Sequence, residues 1–224
     1  PLMITGFLAT LIGLERAVAY AYLPAYAGPI LTGAGTLSLL AGLPTKASIV
    51  IICLGRLGLL ALSGLTFRRH PAFFTFQFLM GAFALLLGNV LWLFGSNLFQ
   101  VSFYWGAFLV LTIVAERQEL ARILQPSRLS HFLILSGTIF VGVSLLLLPM
   151  WYKTGVQLSG AGMILHAIWL LFRDPVKLNL RREGLPRYIS IGLLSGYFWL
   201  LVAGVFAIIY GGATSGPLYD ATLH

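Results

Sequence analysis

One charged residue lies at the centre of a long apolar stretch. The stretch SIVIICLGRLGLLALSGL, residues 48–65, carries Arg56 as its only charged side chain. A guanidinium stays protonated in proteins. Near the middle of a bilayer it costs about 2.5–3.5 kcal/mol on insertion scales, so it normally faces the protein interior and a partner. Three roles are open for Arg56: neutralisation by a carboxylate or helix carbonyls for packing, binding of a substrate or cofactor anion, or contact with lipid headgroups or a partner subunit.

Glu15 is the predicted partner of Arg56. The chain has six Asp and Glu residues, and the other five fall at predicted helix ends or in loops. If the first helix continues through RAVAYAYL to Pro24, Glu15 lies about 12 Å from the cytoplasmic helix end and Arg56 about 18 Å from it. An arginine side chain closes such a gap by snorkelling. We therefore predict a structural ion pair between Glu15 and Arg56.

Two histidines are candidate cofactor ligands. His166 lies inside AGMILHAIWLLF, several turns from either end of a predicted helix. It is either a neutral core imidazole satisfied by one hydrogen bond or a ligand to haem or another metal, although no second histidine lies at matching depth. His224 is either a loop histidine or a ligand. The sequence contains no CxxC, GxGxxG, GxxxxGK[ST] or HExxH motif, which argues against cysteine-metal, nucleotide-binding and zincin-type sites.

The composition indicates an all-α integral membrane protein with the lipid bilayer as its main partner. Of 224 residues, 59% are hydrophobic and 9% are charged, and the mean hydropathy is +0.94. A soluble domain carries about 25% charged residues. The net charge of +8 is scattered between apolar segments, so it does not indicate nucleic acid as a partner.

About eight segments are long enough to cross a bilayer, since about 20 residues span roughly 30 Å. The predicted spans are 1–22, 26–43, 46–67, 72–95, 99–117, 131–149, 157–173 and 188–210. Loops after the odd-numbered spans hold eleven Lys and Arg residues, whereas the remaining loops hold only Lys46 and Lys153. The positive-inside rule then places both chain ends on the extracytoplasmic side of a bacterial inner (cytoplasmic) membrane.

The two halves of the chain are similar. FLATLIGLER (7–16) and FLVLTIVAER (108–117) share a Glu-Arg ending, and LTFRRHP (65–71) is similar to LLFRDP (170–175). We predict two parallel four-helix units, 1–95 and 99–210, followed at 211–224 by an extracytoplasmic loop and the start of a ninth helix. Because the chain starts at Pro and stops as a helix begins, we expect it to be a fragment of a longer polytopic protein.

The two end segments resemble a known family. PLMITGFLATLIGLERAVA at the start and GPLYDATLH at the end resemble NnrS-like membrane proteins, which are related in plan to haem–copper oxidase subunits. The resemblance implies a larger bundle of four-helix units that binds haem, and copper as a further option, through histidines near the extracytoplasmic side. It makes His224 a metal and cofactor ligand. A cofactor-binding redox protein would use His166 as a further ligand option and Arg56 to counter a carboxylate such as a haem propionate.

Three functions are compatible with these features. The first is a haem- or metal-binding protein associated with redox chemistry or electron transfer, which the resemblance favours. The second is an accessory or structural subunit that contacts other membrane subunits of a larger complex. The third is a small-molecule transporter in which Arg56 and Glu15 line the path. No residue pattern identifies a reaction or a substrate.

Overall fold

Every regular element of the chain is helical in the part that the computed structural model describes, residues 2–123, 127–213 and 216–217. A π-helical segment, Leu2–Leu8, continues directly into the first α-helix. The α-helices are α1 (Ala9–Tyr20), α2 (Ala27–Leu40), α3 (Thr45–Arg69), α4 (Phe73–Leu93), α5 (Leu98–Leu120), α6 (Arg128–Leu147), α7 (Tyr152–Arg173), α8 (Val176–Asn179) and α9 (Leu185–Tyr210). This confirms the predicted all-α fold class.

Seven helical segments of the described chain are long and apolar enough to span a membrane, the first being Leu2–Tyr20. Of the eight predicted spans, the second does not qualify, and it corresponds to α2. Its 14 residues extend about 21 Å, and it is shorter than the predicted span 26–43. Gly42 explains the early end, because its φ of 75° is a conformation that glycine adopts without steric cost.

The first helix ends earlier than the sequence predicts. It stops at Tyr20, and Ala21 adopts a left-handed conformation with φ of 51°. Tyr22 is extended, and Leu23–Tyr26 forms a 3-10 turn with Pro24 in its first positions. Pro24 lacks the N–H that a continuing helix needs. The prediction that helix one runs on to Pro24 is therefore wrong.

The chain divides into two compact units, with the boundary between Leu109 and Val110. We call the residues up to 109 unit 1 and the later residues unit 2. This boundary falls within α5, whereas the sequence places it in the loop between residues 95 and 99. The reason is that the first half of α5 packs inside unit 1, where Trp105 and Phe108 join Leu59 and Leu85 in the core.

Each unit contains a crossing of two helices at a pair of glycines. In unit 1, a Cβ on Gly55 of α3 would lie 2.7 Å from the carbonyl oxygen of Gly28 in α2. In unit 2, a Cβ on Gly162 of α7 would lie 2.9 Å from the carbonyl oxygen of Gly137 in α6. Small residues permit such close approach of membrane helices. The shared crossing supports an internal repeat, which remains a prediction.

Candidate functional site

Arg56 is buried in unit 1, with 1% of its surface exposed. Its guanidinium donates hydrogen bonds to the backbone carbonyl of Thr5 and, at 3.3 Å, to the hydroxyl of Thr32. Thr5 belongs to the π-helical segment, a conformation in which the backbone hydrogen bonds differ from those of an α-helix. A helix carbonyl and a hydroxyl oxygen thus accept hydrogen bonds from Arg56, which agrees with the alternative in which helix carbonyls partner it.

The structure does not bring Glu15 to Arg56. Glu15 lies exposed on the surface of α1. It is ten residues beyond Thr5, which corresponds to about 15 Å of helix, whereas Arg56 reaches Thr5 itself. The predicted structural ion pair between Glu15 and Arg56 is wrong, because Arg56 donates a hydrogen bond to Thr5 in the π-helical segment instead.

His166 is a fully buried core residue of unit 2. Its Nε2 lies 3.3 Å from the hydroxyl of Thr138. The ring also packs against Gly137 so closely that a Cβ there would lie 2.9 Å from Nε2. An axial haem ligand needs the metal and the flat macrocycle beside that nitrogen. The packing around Nε2 does not fit a haem, and it agrees with the alternative of a hydrogen-bonded core imidazole.

His224, the predicted metal ligand, lies outside the described residues, and so does the predicted start of a ninth helix. Within the described residues, no group of three or more His, Cys, Asp or Glu side chains could hold a metal ion. The haem and copper predictions therefore depend on His224 and stay predictions.

Two adjoining cavities open in unit 1 where α1 ends. The larger, about 630 Å³, lies between the turn after α1, α2 and α3. The smaller, about 250 Å³, is bounded by the ends of α1 and α3 and the start of α4. Tyr20, Leu62 and Arg69 line both cavities. The larger cavity is otherwise mainly apolar, with Pro24, Leu31, Leu54, Ala61 and Leu65 in its wall.

The smaller cavity is basic. Arg16, Arg69 and His70 line it together with the hydroxyl-bearing residues Ser63 and Thr66. No Asp or Glu side chain belongs to the described lining of either cavity. The electrostatic potential of the smaller cavity therefore favours an anion.

Both arginines of the smaller cavity make cation–π contacts with aromatic rings. The guanidinium carbon of Arg16 lies 3.7 Å from the ring centroid of Phe78, and that of Arg69 lies 4.7 Å from the ring centroid of Tyr20. Cation–π contact of this kind is attractive by about 0.5–1 kcal/mol at exposed sites. The guanidinium donors lie in the plane of the group, so contact through its face does not by itself occupy those donors.

The hydroxyl of Tyr20 is buried and has no hydrogen-bond partner among the described residues. A buried polar group left unpaired costs about 1–3 kcal/mol. Tyr20 lines both cavities, so a ligand there would contact this residue. The combination offers a hydroxyl donor, two positioned guanidinium groups and an adjacent apolar space.

Unit 2 contains a related cluster that already includes an anion. Asp174, at the end of α7, is 3% exposed. One carboxylate oxygen accepts the backbone N–H of Val176 at 2.8 Å, and the other accepts the hydroxyl of Tyr197 at 2.5 Å. Arg117 interacts electrostatically with Tyr197. The carboxylate of Asp174 and the hydroxyl of Tyr197 therefore satisfy each other within unit 2.

The residue patterns of the sequence do not identify Tyr20, Arg69 or His70 as members of a site. A signal for the site is present, because Arg16 and Tyr20 are four residues apart and hence lie on one helix face. They come directly before Pro24, which ends the helix. The cavity itself depends on where the chain turns after Tyr20, which the apolar pattern does not reveal.

The chain belongs to the family described as domain of unknown function DUF8744, whose model matches residues 1–224. No curated protein and no solved structure matches the chain. The family description gives no activity, and it does not bear on the resemblance to NnrS-like proteins.

Proposed function

We propose that this protein binds an anionic amphiphile, a molecule with one negatively charged headgroup and an apolar tail, at the end of unit 1. The observation that carries the proposal is the junction of an apolar cavity with a basic one. Tyr20 and Arg69 line both cavities, and the hydroxyl of Tyr20 has no hydrogen-bond partner among the described residues. The headgroup lies in the basic cavity, and the tail lies in the apolar one.

The headgroup decides the affinity of such a site. A tail that leaves the bilayer for a protein cavity gains little, because lipid chains are as apolar as the cavity wall. Charge-assisted hydrogen bonds from guanidinium groups are roughly twice as strong as neutral ones. Arg16, Arg69 and Tyr20 therefore supply the selectivity for a negative headgroup, and the apolar cavity admits amphiphiles with different tails.

We also propose a location for the site in the cell. The proposed topology places the loops rich in Lys and Arg on the cytoplasmic side of a bacterial inner membrane and requires the short helix α2 to cross between α1 and α3. Both chain ends are then extracytoplasmic, and the site opens at the cytoplasmic surface of the bilayer. An amphiphile can enter it from the lipid without crossing the membrane. The lipid bilayer is then the partner that delivers the ligand, and contacts with other membrane subunits remain open.

Equilibrium binding of a radiolabelled long-chain fatty acid to the purified protein in nonionic detergent tests the proposal. We expect saturable binding, and we expect Arg69→Gln to weaken it by at least about tenfold, equivalent to 1.4 kcal/mol. Arg68→Gln is the matched control, because Arg68 is also exposed at the end of α3 but lines neither cavity. Non-saturable binding, or equal loss in both variants, contradicts the proposal.

The other functions predicted from the sequence have less support. A redox role depends on haem or copper at His224, and absorbance spectra of the oxidised and reduced protein test it. A transport path lined by Glu15 and Arg56 loses its basis, because Arg56 bonds to Thr5 and Thr32 instead. The role of an accessory subunit stays a prediction, because no contact in the described chain tests it.

A further inference from the structure

We infer that the chain segment joining α7 to α9 is a binding surface for the headgroups of anionic phospholipids. We call residues 174–187 the basic connection; it includes α8 and the start of α9. It belongs to unit 2 and shares no residue with the cavities of unit 1, so the inference does not depend on the proposed function. Because α7 and α9 are both long and apolar enough to span a membrane, so short a connection between two such spans lies at a bilayer surface.

The exposed charges of the basic connection are mainly positive. Its exposed cations are Lys177, Arg181, Arg182 and Arg187, and its exposed carboxylate is Glu183. Four cations against one carboxylate leave a surplus of positive charge. Each Lys or Arg close to an anionic membrane surface strengthens binding by about fivefold. The connection therefore carries the charge that attracts anionic headgroups.

Large apolar side chains lie within the basic connection or directly beside it in the chain. Phe172, Leu178, Leu185 and Tyr188 are exposed by 67% to 76%. The ammonium nitrogen of Lys177 lies 5.4 Å from the ring centroid of Phe172. At a membrane interface, apolar side chains of this kind enter the boundary of the acyl chains, and the cations between them remain among the headgroups. This mixture favours a lipid surface over an acidic soluble partner, which would leave the apolar side chains in water.

Hydrogen bonds fasten the basic connection to the rest of unit 2. The buried carboxylate of Asp174 accepts the backbone N–H of Val176 at 2.8 Å and the hydroxyl of Tyr197, in α9, at 2.5 Å. The backbone N–H of Leu178 donates to the carbonyl of Pro175 at 2.9 Å, which closes a turn. Because the protein itself orders this backbone, its cations lose less conformational freedom on binding a headgroup than those of a free linker would.

The side chains of the basic connection indicate which headgroups bind. A guanidinium presents a planar fork of donors that matches a phosphate, and its hydrogen bonds to an ionised acceptor are roughly twice as strong as neutral ones. A zwitterionic headgroup also contains a phosphate, but its cationic group is repelled by Lys and Arg. We therefore expect the connection to select phosphatidylglycerol over phosphatidylcholine.

Energy transfer in nanodiscs tests this selectivity. A donor fluorophore is attached to Asn179→Cys in the background Cys53→Ala, which leaves every cation of the connection in place. The acceptor is attached to the tail of phosphatidylglycerol or of phosphatidylcholine, in discs of unlabelled phosphatidylcholine. For the wild-type connection, we expect half-maximal transfer at a mole fraction of labelled phosphatidylglycerol at least about fivefold lower than that of labelled phosphatidylcholine.

The double variant Arg181→Gln/Arg182→Gln should raise the half-maximal fraction of phosphatidylglycerol by at least about fivefold. Lys46→Gln/Lys153→Gln is the matched control, because it removes the same charge from exposed positions outside the connection, and it should leave that fraction unchanged. Equal transfer from both lipids to the wild-type connection overturns the inference and leaves an acidic protein segment as the alternative partner. Equal loss in both double variants also overturns it.

Ionic strength provides a second readout. Raising the salt concentration from about 0.1 M to 1 M shortens the Debye length from about 10 Å to 3 Å, so the preference for phosphatidylglycerol should shrink. A preference that stays constant with salt overturns the inference. If the first double variant does not fold, Lys177→Gln/Arg187→Gln makes the same test with the other two cations of the connection.

Discussion

At the scale of single residues, buried charged groups such as Arg56 and Asp174 have hydrogen-bond partners that hydropathy alone does not indicate. The burial of Arg56 could be predicted from its place in SIVIICLGRLGLLALSGL, because a permanent charge inside an apolar helix has to face the protein. Its partners, Thr5 and Thr32, could not, since they depend on the depth and rotation of two other helices. For the same reason, the sequence does not distinguish a core position for His166 from a ligand position.

The hydrogen bond from Tyr197 to Asp174 in unit 2 can be tested by mutation. Tyr197→Phe removes the hydroxyl that donates to Asp174 and leaves a buried carboxylate oxygen without that donor. We expect a loss of about 1–3 kcal/mol in the free energy of unfolding, measured by chemical denaturation in detergent. Tyr188→Phe on the same helix is the control, because Tyr188 is 76% exposed. A loss of similar size in both variants contradicts the assigned role of the hydroxyl.

At the scale of helices, the apolar pattern predicts which segments are helical, and local backbone chemistry decides where they end. The long spans of α3, α4 and α9 follow directly from their composition. The end of α1 at Tyr20 does not, because apolar residues continue as far as Pro24. That difference of a few residues creates the turn at Ala21 and the cavities beside it, so the candidate site lies where prediction from sequence is weakest.

The glycine crossings provide a test at the helix scale. Gly55→Ala places a methyl group against the backbone of Gly28, and Gly162→Ala does the same against Gly137. Overpacking of this kind costs about 1–3 kcal/mol, which thermal unfolding in detergent would detect as a lower midpoint. Gly192→Ala in α9, with no heavy atom within 4 Å of the added Cβ, should leave the midpoint unchanged or slightly higher. Equal stability of all three variants contradicts close approach at the crossings.

At the scale of the whole molecule, the sequence predicts the fold class, which follows from composition. It does not predict the boundary between the two units, which follows from how the helices pack. The all-α fold follows from the apolar segments. The division of the chain between Leu109 and Val110 does not, because α5 is a continuous helix whose first half packs in the core of unit 1. Similar stretches such as FLATLIGLER and FLVLTIVAER mark the two units without revealing this boundary.

The orientation of the helices in the membrane is a prediction for the intact protein. In a Cys53→Ala background, Arg182→Cys should react with a membrane-impermeant maleimide only after the cells are permeabilised. Lys153→Cys should react in intact cells, because Lys153 lies in a predicted extracytoplasmic loop. Both positions are exposed on the described chain, so access depends on the side of the membrane. Labelling of both residues in intact cells would contradict the predicted topology.

The most direct measurement of the central claim is photo-crosslinking with a long-chain fatty acid that carries a diazirine on its tail, followed by peptide mass spectrometry. The account predicts adducts within residues 20–31 and 54–65, which line the apolar cavity, and their loss in Arg69→Gln but not in Arg68→Gln. Adducts spread along the exposed apolar face of α9, at the same level in all three proteins, would contradict it.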